Sequence, residues 1–213
     1  MIDISSGDMK KIAENQGNLG IYVFSSNGKN LAYTAALTIN DHAVSQVYIV
    51  SLDDNIVTNL TPEKLKGHVT WVNWKSNREV LYLSEEGVYP RLNLAPVKGG
   101  KRNVILDASE SGIIFDTPEF NDDFNQFVFT GSAQDDYVNI YTWNGKDEIR
   151  RITDINPQLE DKLLGKQELI GYKARDGQEI EGLLIYPVEY ESGTEYPLIV
   201  YVHGGPESHH SNA

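Results

Sequence analysis

The run Leu198-Ile199-Val200-Tyr201-Val202 is apolar at every position and delivers the chain to His203-Gly204-Gly205-Pro206. A glycine pair at the end of such a run suits one kind of chemistry. When a nucleophile attacks a carbonyl, the carbon becomes tetrahedral and its oxygen gains negative charge. A preorganised backbone N–H that comes within about 3 Å stabilises that oxygen, and a Cβ beside it can obstruct the approach.

Other polar groups invite chemistry and fit it less well. His203, His209 and His210 are metal-ligand types, but no acidic partner stands at a recognisable ligand spacing. Asp122-Asp123 and Asp135-Asp136 lack the alternating ligand run of a calcium loop and read as turn residues. Trp71, Trp74 and Trp143 sit in strand-like stretches and read as packing between sheets. No cysteine occurs, which excludes disulfides, thiolate zinc sites and a cysteine nucleophile. The net charge of −13 reads as a well-solvated surface and disfavours nucleic acid, since no Lys/Arg cluster is present to hold phosphates. No apolar run approaches the roughly 18 residues of a membrane helix, and "MIDISSGDMKK" lacks the halves of a signal peptide. The compartment, cytoplasmic or periplasmic, stays open.

The elements that must carry the glycine pair begin with a repeat. "FSSNGKNLAY" (24–33), "WKSNREVLYL" (74–83) and "FNDDFNQFVF" (120–129) each join an aromatic residue, a polar turn and a strand, at spacings of 50 and 46 residues. A second anchor recurs at Leu60, Leu106 and Ile152, 46 residues apart each time, with Ile12 lying 48 residues before Leu60. Between the anchors come "QVYIVSL", "RLNLAPV" and "VNIYTW", followed by the turns Asp53-Asp54-Asn55, Lys98-Gly99-Gly100 and Asn144-Gly145. Four short strands in a period of about 40–50 residues mark a β-propeller blade. Three blades are expected, over 19–61, 68–107 and 113–154, with residues 1–12 as the outer strand of an earlier one. Three blades do not close a ring, so the propeller is expected to be partial.

After residue 154 the alternation stops. Residues 155–167, with Asn156-Pro157, read as a linker. "ELIGYKARDGQEIEGLLIYP" reads as a hairpin turning at Asp176-Gly177. "EYESGTEYP" is a polar loop, and Leu198–Val202 reads as a strand buried on both faces of a mostly parallel sheet. The fold class expected is mostly β: a partial propeller over 1–154, the linker, and the first strands of an α/β-hydrolase domain over 168–213.

The whole chain resembles the prolyl-oligopeptidase family of serine peptidases, closest to its acylaminoacyl-peptidase-like branch. The resemblance rests on Tyr172–Gly177, Ile180–Pro187, Tyr196–Pro206 and the repeats before them. It implies a propeller that gates a hydrolase domain, short peptide or acylated amino-acid substrates, acyl transfer without a cofactor, and no metal, nucleic-acid or membrane partner. It also implies that the Gly205 N–H is an oxyanion donor, that Gly204 shapes the loop and that His203 is structural. In dipeptidyl peptidases of the family a propeller glutamate pair holds the substrate's free amine, which draws attention to Glu85-Glu86. A polar turn beside Gly87 explains the position fully and is the preferred reading. The family's nucleophile elbow, Gly-x-Ser-x-Gly, is missing, since none of the 18 glycines has serine two residues later. The expectation is therefore a fragment, truncated at both ends and inactive by itself. Two other readings stay open: a non-catalytic propeller used for binding, which does not need Leu198–Pro206, and a small α/β-hydrolase esterase, which does not account for the repeats.

Overall fold

The computed structural model describes residues 1–40, 44–62, 65–205 and 208–212. It is almost entirely β, in antiparallel sheets. Two units are distinguished, Met1–Glu86 with Arg91–Asp107, and Gly87–Pro90 with Ala108–Ala213.

The first sheet is a four-stranded meander, β1 (Leu19–Phe24), β2 (Asn30–Ala36), β3 (Ser45–Ser51) and β4 (Val57–Asn59). The second repeats it with β5 (Gly67–Ser76), β6 (Glu79–Glu86), β7 (Tyr89–Pro96) and β8 (Asn103–Asp107). The quoted aromatic-turn-strand repeats are the hairpins joining first and second strands. Phe24 ends β1, and Trp74 lies near the end of β5. The turns after the third strands need a left-handed backbone, which Asn55 (φ 58°), Gly99 (φ 78°) and Gly145 (φ 80°) supply.

Within the first unit the two sheets pack on each other. Ala32, Val47 and Ile49 meet Val69, Val72, Val80 and Tyr82 in one buried cluster with Leu60. Trp74 belongs to it, and its indole Nε1–H donates to the Val23 carbonyl at 2.9 Å. The expected packing role of Trp74 between sheets is met. Gly67 opens β5 against β6, where a Cβ would collide with the Glu85 carbonyl.

In the second unit a short helix, α1 (Ala108–Ser111), leads to β9 (Ile114–Phe115), β10 (Glu119–Phe120), β11 (Phe127–Ala133), β12 (Asp136–Trp143) and β13 (Arg150–Arg151). β9 and β10 both pair with β11, so the first strand of this sheet is split. Phe127 packs on Trp143 and Phe129 on Phe115, at centroid distances of 5.2 and 5.5 Å. Residues 155–166 carry one short turn of helix, Pro157–Leu159. β14 (Gln167–Lys173) and β15 (Glu179–Ile185) then form the expected hairpin. Its turn closes through Ala174 N–H to Gln178 O at 2.8 Å, with Gly177 at φ 89°.

Two expectations fail. Residues 1–12 form no strand but a loop with a single bridge between Ile2 and Met9. Asp3 there accepts hydrogen bonds from the Ser5 and Ser6 N–H groups, a local turn that competes with extension. Leu198–Val202 is not buried and pairs with no strand among the described residues. Ile199 is 90% exposed. A run apolar on both faces needs sheet neighbours and covering helices, and the described residues supply neither. No helix among them is long and apolar enough to cross a membrane.

Candidate functional site

Gly204 and Gly205 lie on an exposed loop after that run. Gly205 holds φ at 135°, a backbone conformation that only glycine adopts without strain. Gly204 has no such constraint: a Cβ there would meet nothing within 4 Å. The His203 Nδ1 lies 3.1 Å from the Gly204 carbonyl, a distance at which its N–H donates. Pro206, the last residue of the motif, lies outside the described residues.

The loop is folded back on itself by rings. His210 packs on Tyr201 with centroids 5.1 Å apart and meets the His203 ring edge-on at 6.1 Å. Two residues later Asn212 is tied down at three points. Its N–H donates to Val88 O (3.2 Å), its Nδ2 donates to the Tyr89 hydroxyl (2.7 Å), and its Oδ1 accepts from Gln134 Nε2 (3.0 Å). Tyr89, Gln134 and Asn212 form one side of a cleft of about 580 Å³, which Ser109, Lys162, Leu164 and Lys166 also line. None of these contacts was visible in the sequence, because the residues involved are 78 and 123 positions apart.

The glutamate pair resolves differently. The Glu86 side chain is 11% exposed and accepts from both terminal guanidinium nitrogens of Arg102 (2.5 and 2.9 Å), from Arg91 (3.0 Å) and from the Ser84 hydroxyl (2.7 Å). Arg91 also reaches Asp107 at 2.6 Å. Burial raises the Glu86 pKa, but the bonds from Arg102 and Ser84 and the two positive charges outweigh it, so the carboxyl is held below its ordinary value. A carboxylate already committed to two arginines has no free lone-pair directions for an incoming amine. Arg91 and Arg102 were missed because each is an ordinary polar residue of its own strand or turn.

Asp136 is also engaged. It pairs with Arg151 at 2.9 Å and accepts from the Tyr141 hydroxyl at 2.6 Å; burial first, and then this carboxylate, raise the Tyr141 pKa. With Asp135, Asp154 and Glu160 it lines a cleft of about 320 Å³. No group of three or more metal-ligating side chains gathers among the described residues.

No protein-family model matches the chain. Curated relatives do. The chain is 23% identical over 199 residues to dipeptidyl-peptidase 5 of Aspergillus oryzae, a match that covers 91% of this chain and 27% of the relative. The chain thus spans about a quarter of the length of the curated relatives it matches. Among solved structures it resembles an acylaminoacyl peptidase in complex with Z-Gly-Gly-Phe-chloromethyl ketone, with a TM-score of 0.69 at 21% identity, over 96% of this chain and 30% of that one. It also resembles the acylaminoacyl peptidase of Pyrococcus horikoshii, with a TM-score of 0.65 at 19% identity, over 89% and 28%. The chain is thus similar in sequence to a dipeptidyl peptidase and in fold to acylaminoacyl peptidases, in line with the resemblance stated above.

Proposed function

We propose that this chain is part of a serine peptidase that hydrolyses short peptides or acylated N-termini by acyl transfer. The three antiparallel sheets are read as propeller blades over 1–154 that gate the site. Residues 155–167 are read as a linker and 168–213 as the start of the hydrolase domain. The observation that carries this reading is the order of parts: repeated four-stranded meanders, an isolated hairpin, then a glycine loop with Gly205 at φ 135°. The similarity to peptidases over nine-tenths of the chain supports it.

In the proposed reaction the nucleophile's oxygen bonds to the scissile carbonyl carbon and the carbonyl π electrons move to oxygen. The Gly205 N–H donates to that oxyanion. Collapse expels the amine, which takes up the nucleophile's proton, and water releases the acyl group. The chain holds no Gly-x-Ser-x-Gly elbow, so residues 1–213 by themselves are expected to be inactive. A dipeptidyl specificity would have to anchor the substrate amine elsewhere than on Glu86, which its arginines occupy.

The test is expression of the full-length gene product and assay on acyl-amino-acid and dipeptidyl p-nitroanilides, with a serine-directed phosphonate as inhibitor. Phosphonate-sensitive turnover in the full-length protein, and none in 1–213, is the expected result. No turnover in the full-length protein on any peptide or acyl substrate would favour a binding propeller. Turnover confined to esters would favour the esterase.

A further inference from the structure

We propose that the cleft bordered by Tyr89 and Gln134 is a binding site for the carboxamide of an asparagine within a peptide, and that Asn212 is an example of that ligand seated in this structure. The inference rests on the reading of Leu198–Val202 as a strand that is covered in the whole protein. Residues that follow such a strand go where its sheet takes them, which leaves the cleft to a peptide from outside. The site does not depend on the role of Gly205.

The cleft lies within the second unit alone. Its volume of about 580 Å³ is that of a small-ligand site. Three groups beside it read one residue. The Val88 carbonyl accepts the Asn212 backbone N–H at 3.2 Å, the Tyr89 hydroxyl accepts from Nδ2 at 2.7 Å, and Gln134 Nε2 donates to Oδ1 at 3.0 Å. A carboxamide carries a donor and an acceptor side by side, and each end meets the partner it requires. A leucine of similar outline would offer Gln134 no acceptor and Tyr89 no donor. Every residue but proline has a backbone N–H, so Val88 sets the register while Tyr89 and Gln134 read the side chain. Both readers stand on the sheets and not on the tail: Tyr89 opens β7, and Gln134 lies in the turn between β11 and β12. Val88 is buried and Asn212 partly buried, so these bonds form where water competes less. Ala133, Leu163 and Leu164 add apolar wall for the residues that flank the carboxamide.

The test is the fluorescence anisotropy of a fluorescein-labelled His-Ser-Asn-Ala amide, the sequence of residues 210–213, titrated with the chain 1–213. In the wild type the chain's own Asn212 competes from within the molecule, so Asn212→Ala is expected to bind the peptide about tenfold more tightly than wild type. In that background Tyr89→Phe and Gln134→Ala are each expected to weaken binding about threefold or more at unchanged melting temperature. Leucine in place of the peptide's asparagine is expected to weaken it about tenfold or more. Equal binding of the asparagine and leucine peptides overturns the proposal. If Asn212→Ala does not fold, the full-length protein treated with the serine-directed phosphonate decides: binding weakened by Tyr89→Phe and by Gln134→Ala supports the site, and binding unchanged in both overturns it. A peptide displaced by the phosphonate would lie in the catalytic centre, which would overturn the cleft and leave the peptidase reading intact. Binding that needs Tyr89 and Gln134 in a full-length protein without turnover would support the cleft and overturn the peptidase reading.

Discussion

Replacing Glu86 by alanine tests whether the glutamate pair is structural or binds substrate. The substitution removes one acceptor group from Arg102, Arg91 and the Ser84 hydroxyl together. Arg91 keeps Asp107, but Arg102 loses both its carboxylate bonds while its side chain is only 18% exposed. An exposed pair is worth about 0–1 kcal/mol, and removing one partner of a buried pair costs about 3–5 kcal/mol. The partial exposure of the arginines places this cluster between those limits, at about 2–3 kcal/mol. For a chain of this size that corresponds to a fall in Tm of about 4–12 °C. Because burial of Glu86 is outweighed by its arginines, its folded pKa lies below the ordinary value of 4.5. Its contribution is then fully present above that value and is lost as the pH falls through the lower folded value. The stability gap between wild type and Glu86→Gln, measured by urea unfolding, is expected to be flat from about pH 8 to 5.5 and to narrow below about pH 4. Salt is expected to change it little, since partly buried pairs are weakly screened. A variant of unchanged stability whose full-length form loses selectivity for substrates with a free N-terminus would refute the structural account.

The remaining expectations are briefer. Gly205→Ala keeps the N–H but strains a backbone at φ 135°, whereas Gly205→Pro removes the donor. In the full-length protein kcat is expected to fall by about 10²–10³ for proline and by less for alanine, with modest changes in KM. A folded proline variant with normal kcat would place the donor elsewhere. Thr61→Val leaves the buried Val47 N–H, now bonded to the Thr61 hydroxyl at 2.9 Å, without its acceptor. It is expected to cost about 1–3 kcal/mol in urea unfolding, and a change within 0.5 kcal/mol would count against the assigned bond. Residues 1–213, with Leu198–Val202 exposed, are expected to self-associate in sedimentation, and Ile199→Lys with Val200→Thr to reduce this. A monodisperse wild type would show that the run is covered.

The repeats were legible because they record local events: an aromatic residue, a turn that needs a left-handed backbone, and a strand. The second anchor was legible for a different reason than hydrophobic periodicity suggests. Leu60 is 4% exposed but Ile152 is 51% exposed, so burial is not what they share. Each donates its N–H to the third strand, Leu60 to Val47 O and Ile152 to Ile140 O, both at 2.9 Å. The following threonine, Thr61 or Thr153, takes the N–H of that same strand residue at 2.9 or 2.8 Å. Thus at Leu60 and Ile152 the anchor marks a backbone junction, and the side chain is free to be buried or not.

What the sequence could not show is nonlocal or depends on partners. Apolarity led to the expectation that Leu198–Val202 is covered, but it cannot say by what. Within the described residues nothing covers it. Glu86 looked like a turn residue because its arginines are 5 and 16 positions away, Arg91 on the next strand and Arg102 in the turn before β8. Asn212 looked like nothing at all. The same physics separates the two kinds of site: a sheet hairpin is specified by neighbours a few residues apart, whereas a catalytic loop must be aimed by groups on other elements. Asn212, Tyr89 and Gln134 carry no motif, and their hydrogen bonds join positions 78 and 123 apart that meet only once the chain has folded.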